Sequence, residues 1–108
     1  MKFEIIYRKE ALRDLNKLNH SQRANVLKAI QKVSKNPLPF NEGGYGKPLG
    51  NLSNSKLSGL LKIKLKKDGI RIVYQLRKTE NTMKIIVIGM RKDNEVYETA
   101  RRRMLSEE

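Results

Sequence analysis

Two lysines and an arginine, set on alternating segments either side of a turn, hold most of the chemistry open to this sequence. In LLKIKLKKDGIRIVYQL, Leu60 to Leu76, apolar and basic residues alternate on both sides of Lys67-Asp68-Gly69. That pattern reads as two half-buried antiparallel strands, with Gly69 free to take the positive φ of a tight turn. Leu61, Ile63 and Leu65 then point one way, and Lys62, Lys64 and Lys66 the other. On the second arm Ile70, Ile72, Tyr74 and Leu76 share a face, opposite to Arg71, Val73, Gln75 and Arg77. Pairing Leu65 with Ile70 sets Lys64 against Arg71, Ile63 against Ile72 and Lys62 against Val73. Lys62, Lys64 and Arg71 thus crowd one face, where like charges repel across the strands. A bound anion would relieve the repulsion. Lysines on a solvated strand face are the plain alternative, and the hairpin alone leaves both readings open.

Little other reactive equipment is present. His20 is the only histidine and falls at a helix–helix turn, so no imidazole acid/base pair can form. There is no cysteine, which excludes disulfides, thiolate catalysis and zinc–thiolate sites. The acidic residues are scattered, without the clustering a metal needs. The glycines of Glu42 to Lys47 lack the strand–loop–helix setting of a phosphate-binding loop. What remains is Arg91, which closes an apolar strand, and Tyr97, three residues past a polar corner. Gly89, two residues before Arg91 on the same face, is expected to leave an uncovered patch where a ligand could approach. Singly, Arg91 reads as a solvated strand end and Tyr97 as ordinary helix-to-sheet packing.

These residues need elements to position them, and 108 residues provide one domain with a modest core. Lys2 to Tyr7 reads as a strand. Arg8 to Leu18 reads as a helix with an apolar stripe of Ala11, Leu12, Leu15 and Leu18. Ser21 is the expected N-cap of a second helix, Gln22 to Lys35, which turns Val26, Leu27, Ile30 and Val33 inward. So short a break between them predicts a helical hairpin packed on the sheet. Asn36 to Ser58 holds all three prolines and four of the seven glycines and is expected to be a long loop. After the hairpin strands, Met83 to Met90 is apolar on both faces and should be a central strand. Glu95 to Leu105 reads as a C-terminal helix with Val96, Ala100 and Met104 inward. The expected fold is α+β, in the order β-α-α-β-β-β-α, with the helical hairpin on a mostly antiparallel twisted sheet.

The charge says what such a domain meets. There are 24 Lys and Arg against 11 Asp and Glu, a net +13, with the densest part on the strand-rich half. A polyanion, RNA or DNA first, is the expected partner. No apolar run of spanning length and no long basic amphipathic helix points to a membrane. Acidic residues interrupt MKFEIIYRKEALRDL, so it does not read as a signal peptide, and a cytoplasmic protein is expected.

Taken together, KIKLKKDGIRIVYQ (Lys62 to Gln75) and IGMRKDNEVYETARRRM (Ile88 to Met104) resemble the RelE family of toxins from toxin–antitoxin pairs, over nearly the whole chain. The resemblance implies metal-independent cleavage of messenger RNA in the ribosomal A site, no cofactor, and an acidic antitoxin as partner. Family functional positions match Lys62, Lys64, Arg71, Arg91 and Tyr97. Metal-free RNA cleavage needs a base for the 2′-OH, an acid for the leaving 5′-oxygen, and positive charge around the phosphorane. Crowding by Lys62 and Arg71 should lower the Lys64 pKa. Lys64 is accordingly the expected base, with Lys62 and Arg71 as transition-state stabilisers. Arg91 is a stabiliser or leaving-group acid, and Tyr97 stacks on or positions the nucleotide. Competing readings are a ParE-like toxin acting on DNA gyrase, a non-catalytic RNA-binding module, and a basic face that serves only to bind an acidic antitoxin.

Overall fold

The first helix ends where its own carbonyls find another partner. In the computed structural model, which describes residues 3–49, 59–90 and 95–106, strand β1 (Glu4–Tyr7) leads into α1 (Lys9–Lys17) and α2 (His20–Ser34). Leu18 turns extended, and the Arg23 guanidinium reaches back from α2 to the carbonyls of Leu15, Asn16 and Leu18. The helix terminus is thereby satisfied by a side chain from the next helix. The expected cap at Ser21 is corrected. Asn19 caps α2, accepting from the Gln22 N–H at 2.8 Å while the Gln22 side chain accepts from the Asn19 N–H at 3.1 Å. This reciprocal box starts the helix two residues before the predicted Gln22.

Five strands form one sheet in the order β1-β5-β4-β3-β2, where β2 is Lys47–Pro48, β3 Leu60–Leu65, β4 Ile70–Arg77 and β5 Thr82–Met90. Only β1 and β5 run parallel; the other neighbours are antiparallel. The hairpin has the expected register, Leu65 on Ile70, Lys64 on Arg71, Ile63 on Ile72 and Lys62 on Val73. Gly69 takes φ 65° in its turn, and Asn25 donates to Asp68 at 3.1 Å, tying that turn to α2. As expected, β5 is interior to the sheet, between β1 and β4.

The expected loop from Asn36 to Ser58 is corrected in part. Residues 36–49 hold a 3-10 turn, Phe40–Glu42, and the two-residue strand β2, which pairs with Leu61 and Lys62 on β3. Pro48 is tolerated because β2 is an edge. Tyr74, fully buried, donates its hydroxyl to the Pro37 carbonyl at 2.7 Å and fastens this segment to the sheet; burial pushes the phenol well above its usual range. Residues 50–58 lie outside the described part.

Helices cover both faces. On one, Ala11, Leu15, Val26, Ile30 and Val33 of α1 and α2 pack on Ile63, Ile72, Tyr74 and Ile85. On the other, Val96, Ala100 and Met104 of α3 (Glu95–Leu105) pack on Leu60, Val73, Ile86 and Val87. Leu12 and Leu27, expected inward, are 45% and 39% exposed. Each stands about 100° around its helix from the buried Ala11 or Val26, beyond the stripe that reaches the sheet. Between Val73 and Tyr74 the register shifts: their partners are Val87 and Ile85, leaving Ile86 as a bulge. The bulge inverts the alternation of β5, so Met83 and Ile85 face α1 and α2 while Ile86 and Val87 face α3.

Past the bulge β5 loses β1 as a neighbour, since the Arg8 N–H bonds the Ile85 carbonyl at 3.0 Å and the chain then enters α1. Side chains serve that edge instead. Asp14 on α1 accepts the Ile88 N–H at 3.1 Å, Arg103 on α3 donates to the Ile86 carbonyl at 2.8 Å, and Arg103 and Asp14 pair at 2.8 and 3.3 Å. This strap holds α3 to α1 across the sheet. Among the described residues no helix is long and apolar enough to cross a membrane.

Candidate active site

The face of the hairpin that carries the lysines is the face α3 covers, so the last helix completes the site. Tyr97, on its first turn, accepts a hydrogen bond from Arg71 Nη1 at 2.8 Å. Its ring lies 5.1 Å from Lys62 Nζ and 5.6 Å from the Arg71 guanidinium carbon. Both cations therefore sit within cation–π range of one tyrosine. Three of the five residues singled out from the sequence, Lys62, Arg71 and Tyr97, form one contact group. Lys64 joins through the ladder, directly opposite Arg71, and lines a small depression of about 290 Å³ with Leu65, Lys66, Ile70 and Arg71. Arg91 lies outside the described residues.

Electrostatics single out Lys64. The charge of Lys62 holds its pKa below the ordinary lysine value, helped by partial loss of solvent and then by Arg71, Lys47 and Lys66. Neighbouring cations penalise one more positive charge, which makes the neutral amine easier to reach. Lys47 went unseen in the sequence: β2 sets it opposite Lys62, and a two-residue strand inside a Pro/Gly stretch carries no periodic signal.

The expected open patch at Gly89 is corrected. A β-carbon built there would meet Val96 Cγ2 at 2.9 Å, so α3 fills the space. Gly89 pairs with Arg71, and its missing side chain lets Val96 approach and sets the next residue, Tyr97, against Arg71. Gly89→Ala should remain folded, lose about 1–2 kcal/mol from overpacking, and lower any activity that needs the Arg71–Tyr97 contact. Thermal melts beside activity assays check this; an unchanged melt would remove the close-approach argument.

Comparison with known proteins identifies the family and the fold. The family described as "ParE toxin of type II toxin-antitoxin system, parDE" matches residues 5–95. A putative RelE-like toxin protein of Escherichia coli is 27% identical over 107 residues, covering 96% of this chain and 99% of its own. The mRNA interferase toxin RelE of Escherichia coli K12 is 28% identical over 108 residues, covering 97% and 100%. The solved structure of a mutant Escherichia coli RelE in the free state superposes with a TM-score of 0.71 at 24% identity, over 95% of this chain and 98% of that one. The match takes in both arms of the basic hairpin, the bulged strand and the helical layer beneath them, and the chain belongs to the RelE/ParE family of type II toxins.

Proposed function

We propose that this toxin is an endoribonuclease that cuts messenger RNA in the ribosomal A site without a metal. The observation that carries the reading is Lys64 set opposite Arg71, with its pKa lowered first by Lys62. In the reaction the Lys64 amine takes the proton of a ribose 2′-OH, and the freed oxygen attacks the adjacent phosphorus. The P–O5′ bond breaks, the 5′-oxygen takes up a proton, and a 2′,3′-cyclic phosphate and a 5′-hydroxyl result. Lys62 and Arg71 neutralise the phosphorane, where preorganised charge is worth most. Arg91 is assigned to the same charge or to the leaving oxygen, the latter an uncomfortable role for a group that hardly deprotonates. Tyr97 already holds Arg71 by its hydroxyl, so its first task is to position that guanidinium, with the nucleotide seated beside it. DNA, which lacks the 2′-OH, is not cut. The partner expected from a type II system is an antitoxin, and a net charge of +13 favours an acidic one.

Primer extension on translated messenger, with and without ribosomes, tests the reading. Cuts confined to ribosome-bound messenger are expected, and equal cutting of naked RNA would reject ribosome dependence. The family name also keeps a DNA-gyrase target in view. Intact messenger with accumulating gyrase-linked DNA breaks in cells expressing the toxin would establish that target instead.

A further inference from the structure

On the far side of β3 from Tyr97, a second cleft of about 270 Å³ opens between the strand's outer edge and α2. It exists because β2 covers only the Leu61–Lys62 end of that edge. Lys32, Lys47, Lys62, Lys64 and Lys66 line it over an apolar floor that includes Val33 and Ile63, and no carboxylate is among its lining residues. At its rim Tyr45 is 52% exposed, with Lys32 Nζ 5.3 Å from the ring centroid.

Tyr45 is firmly held although it is exposed. Its N–H bonds the Asn36 carbonyl at 3.0 Å, the next residue bonds Leu38 at 3.0 Å, and Phe40 N–H bonds back to Gly46 at 2.7 Å. Asn36 also donates its side-chain amide to Gly43 at 3.1 Å. A rigid loop thus presents an aromatic face beside five like charges that repel one another. Lys62 and Lys64 belong both to this cleft and to the site under α3, so one strand of phosphates can run from one to the other round the edge of β3.

We infer that the Tyr45 cleft is a second nucleotide subsite, in which a base neighbouring the scissile step stacks on Tyr45 and its phosphate is held by Lys32 and Lys47. The assignment rests on the reading of RNA as substrate and extends it to a site on the opposite side of the strand. Base–aromatic stacking serves every base, so the subsite adds affinity rather than sequence choice. An acidic peptide would satisfy the lysines but offers the exposed Tyr45 ring no base to stack on it.

The test uses the intact protein and a fluorescein-labelled single-stranded RNA octamer carrying 2′-O-methyl groups throughout, which has no free 2′-OH to react. Anisotropy is followed at increasing potassium chloride. Tyr45→Ala should bind on the order of tenfold more weakly, while Tyr45→Phe, which keeps the ring, stays near wild type. Lys32→Gln should flatten the slope of log affinity against log salt by about 0.7, the loss of one single-strand phosphate contact. Unchanged binding by Tyr45→Ala, or no octamer binding by the wild type, overturns the subsite. Displacement of the octamer by an equally charged glutamate-rich peptide at equal concentration overturns it too, because such a peptide has no base to stack. A wild type that binds the octamer through Tyr45 but leaves translated messenger uncut upholds the subsite and overturns the endonuclease. Cutting that persists with Tyr45-independent binding does the reverse.

Discussion

In single-turnover cleavage on programmed ribosomes, Lys64→Arg is expected to be nearly as inactive as Lys64→Ala, each at least about a hundredfold below wild type. Arginine keeps the positive charge and the strand but cannot give up its proton in the working range. Charge alone is asked of Lys62, so Lys62→Arg should lose far less. The pH profile separates the roles further. Only the neutral amine accepts a proton, so the rate climbs as pH rises through the Lys64 pKa, which neighbouring charge has already pulled below that of an ordinary lysine. Lys62→Met removes the largest cause of that depression. The rising limb should then move to higher pH, and added salt should move it the same way in the wild type. A Lys64→Arg protein cutting near the wild-type rate would sink the assignment of Lys64 as base.

The second large effect concerns the strap rather than the chemistry. Asp14→Ala strips Arg103 of its carboxylate and leaves the Ile88 N–H without its acceptor, with the two side chains of the pair only 12% and 18% exposed in the intact protein. Charge-assisted bonds of this kind contribute about 1.5–3 kcal/mol, so a fall in melting temperature of roughly 10 °C is expected for a domain of this size. Because α3 carries Tyr97, cleavage should fall below what the loss of folded protein explains. The double variant Asp14→Ala/Arg103→Met should be more stable than Asp14→Ala alone, since it also removes the stranded charge. Simple addition of the two single losses in denaturant melts would show that the pair is not coupled.

The hairpin was legible because strict alternation and a Lys-Asp-Gly turn leave one register, and that register places Lys64 on Arg71. The inward face of α3 was readable for a similar reason, the four-residue spacing of Val96, Ala100 and Met104. The bulge was not. MKIIVIGM is apolar at almost every position, so nothing in it marks where the alternation inverts, and Gly89 was assigned a bare patch instead of the contact with Val96. Nor could Arg103 be told from Arg101 and Arg102 in a run of three. Its partner Asp14 lies 89 residues away, and only the packed sheet edge selects it. Asn19 and Ser21 both suit a cap, and Gln22, three residues after Asn19, was the signal that favoured Asn19.

The parallel pairing of β1 with β5 also bears on how the protein comes to be made. Glu4 finds its neighbour at Thr82 and Tyr7 at Ile85, so β1 waits until β5 has been made. Closing so long a chain segment is slow compared with local folding. The helix that brings Tyr97 to the lysines emerges later still. A growing polypeptide therefore holds the basic hairpin but neither the strand beside it nor the tyrosine that orders Arg71. Until Tyr97 has been made and packed, Arg71 lacks the hydroxyl that orders it, so the site under α3 stays incomplete in the growing chain.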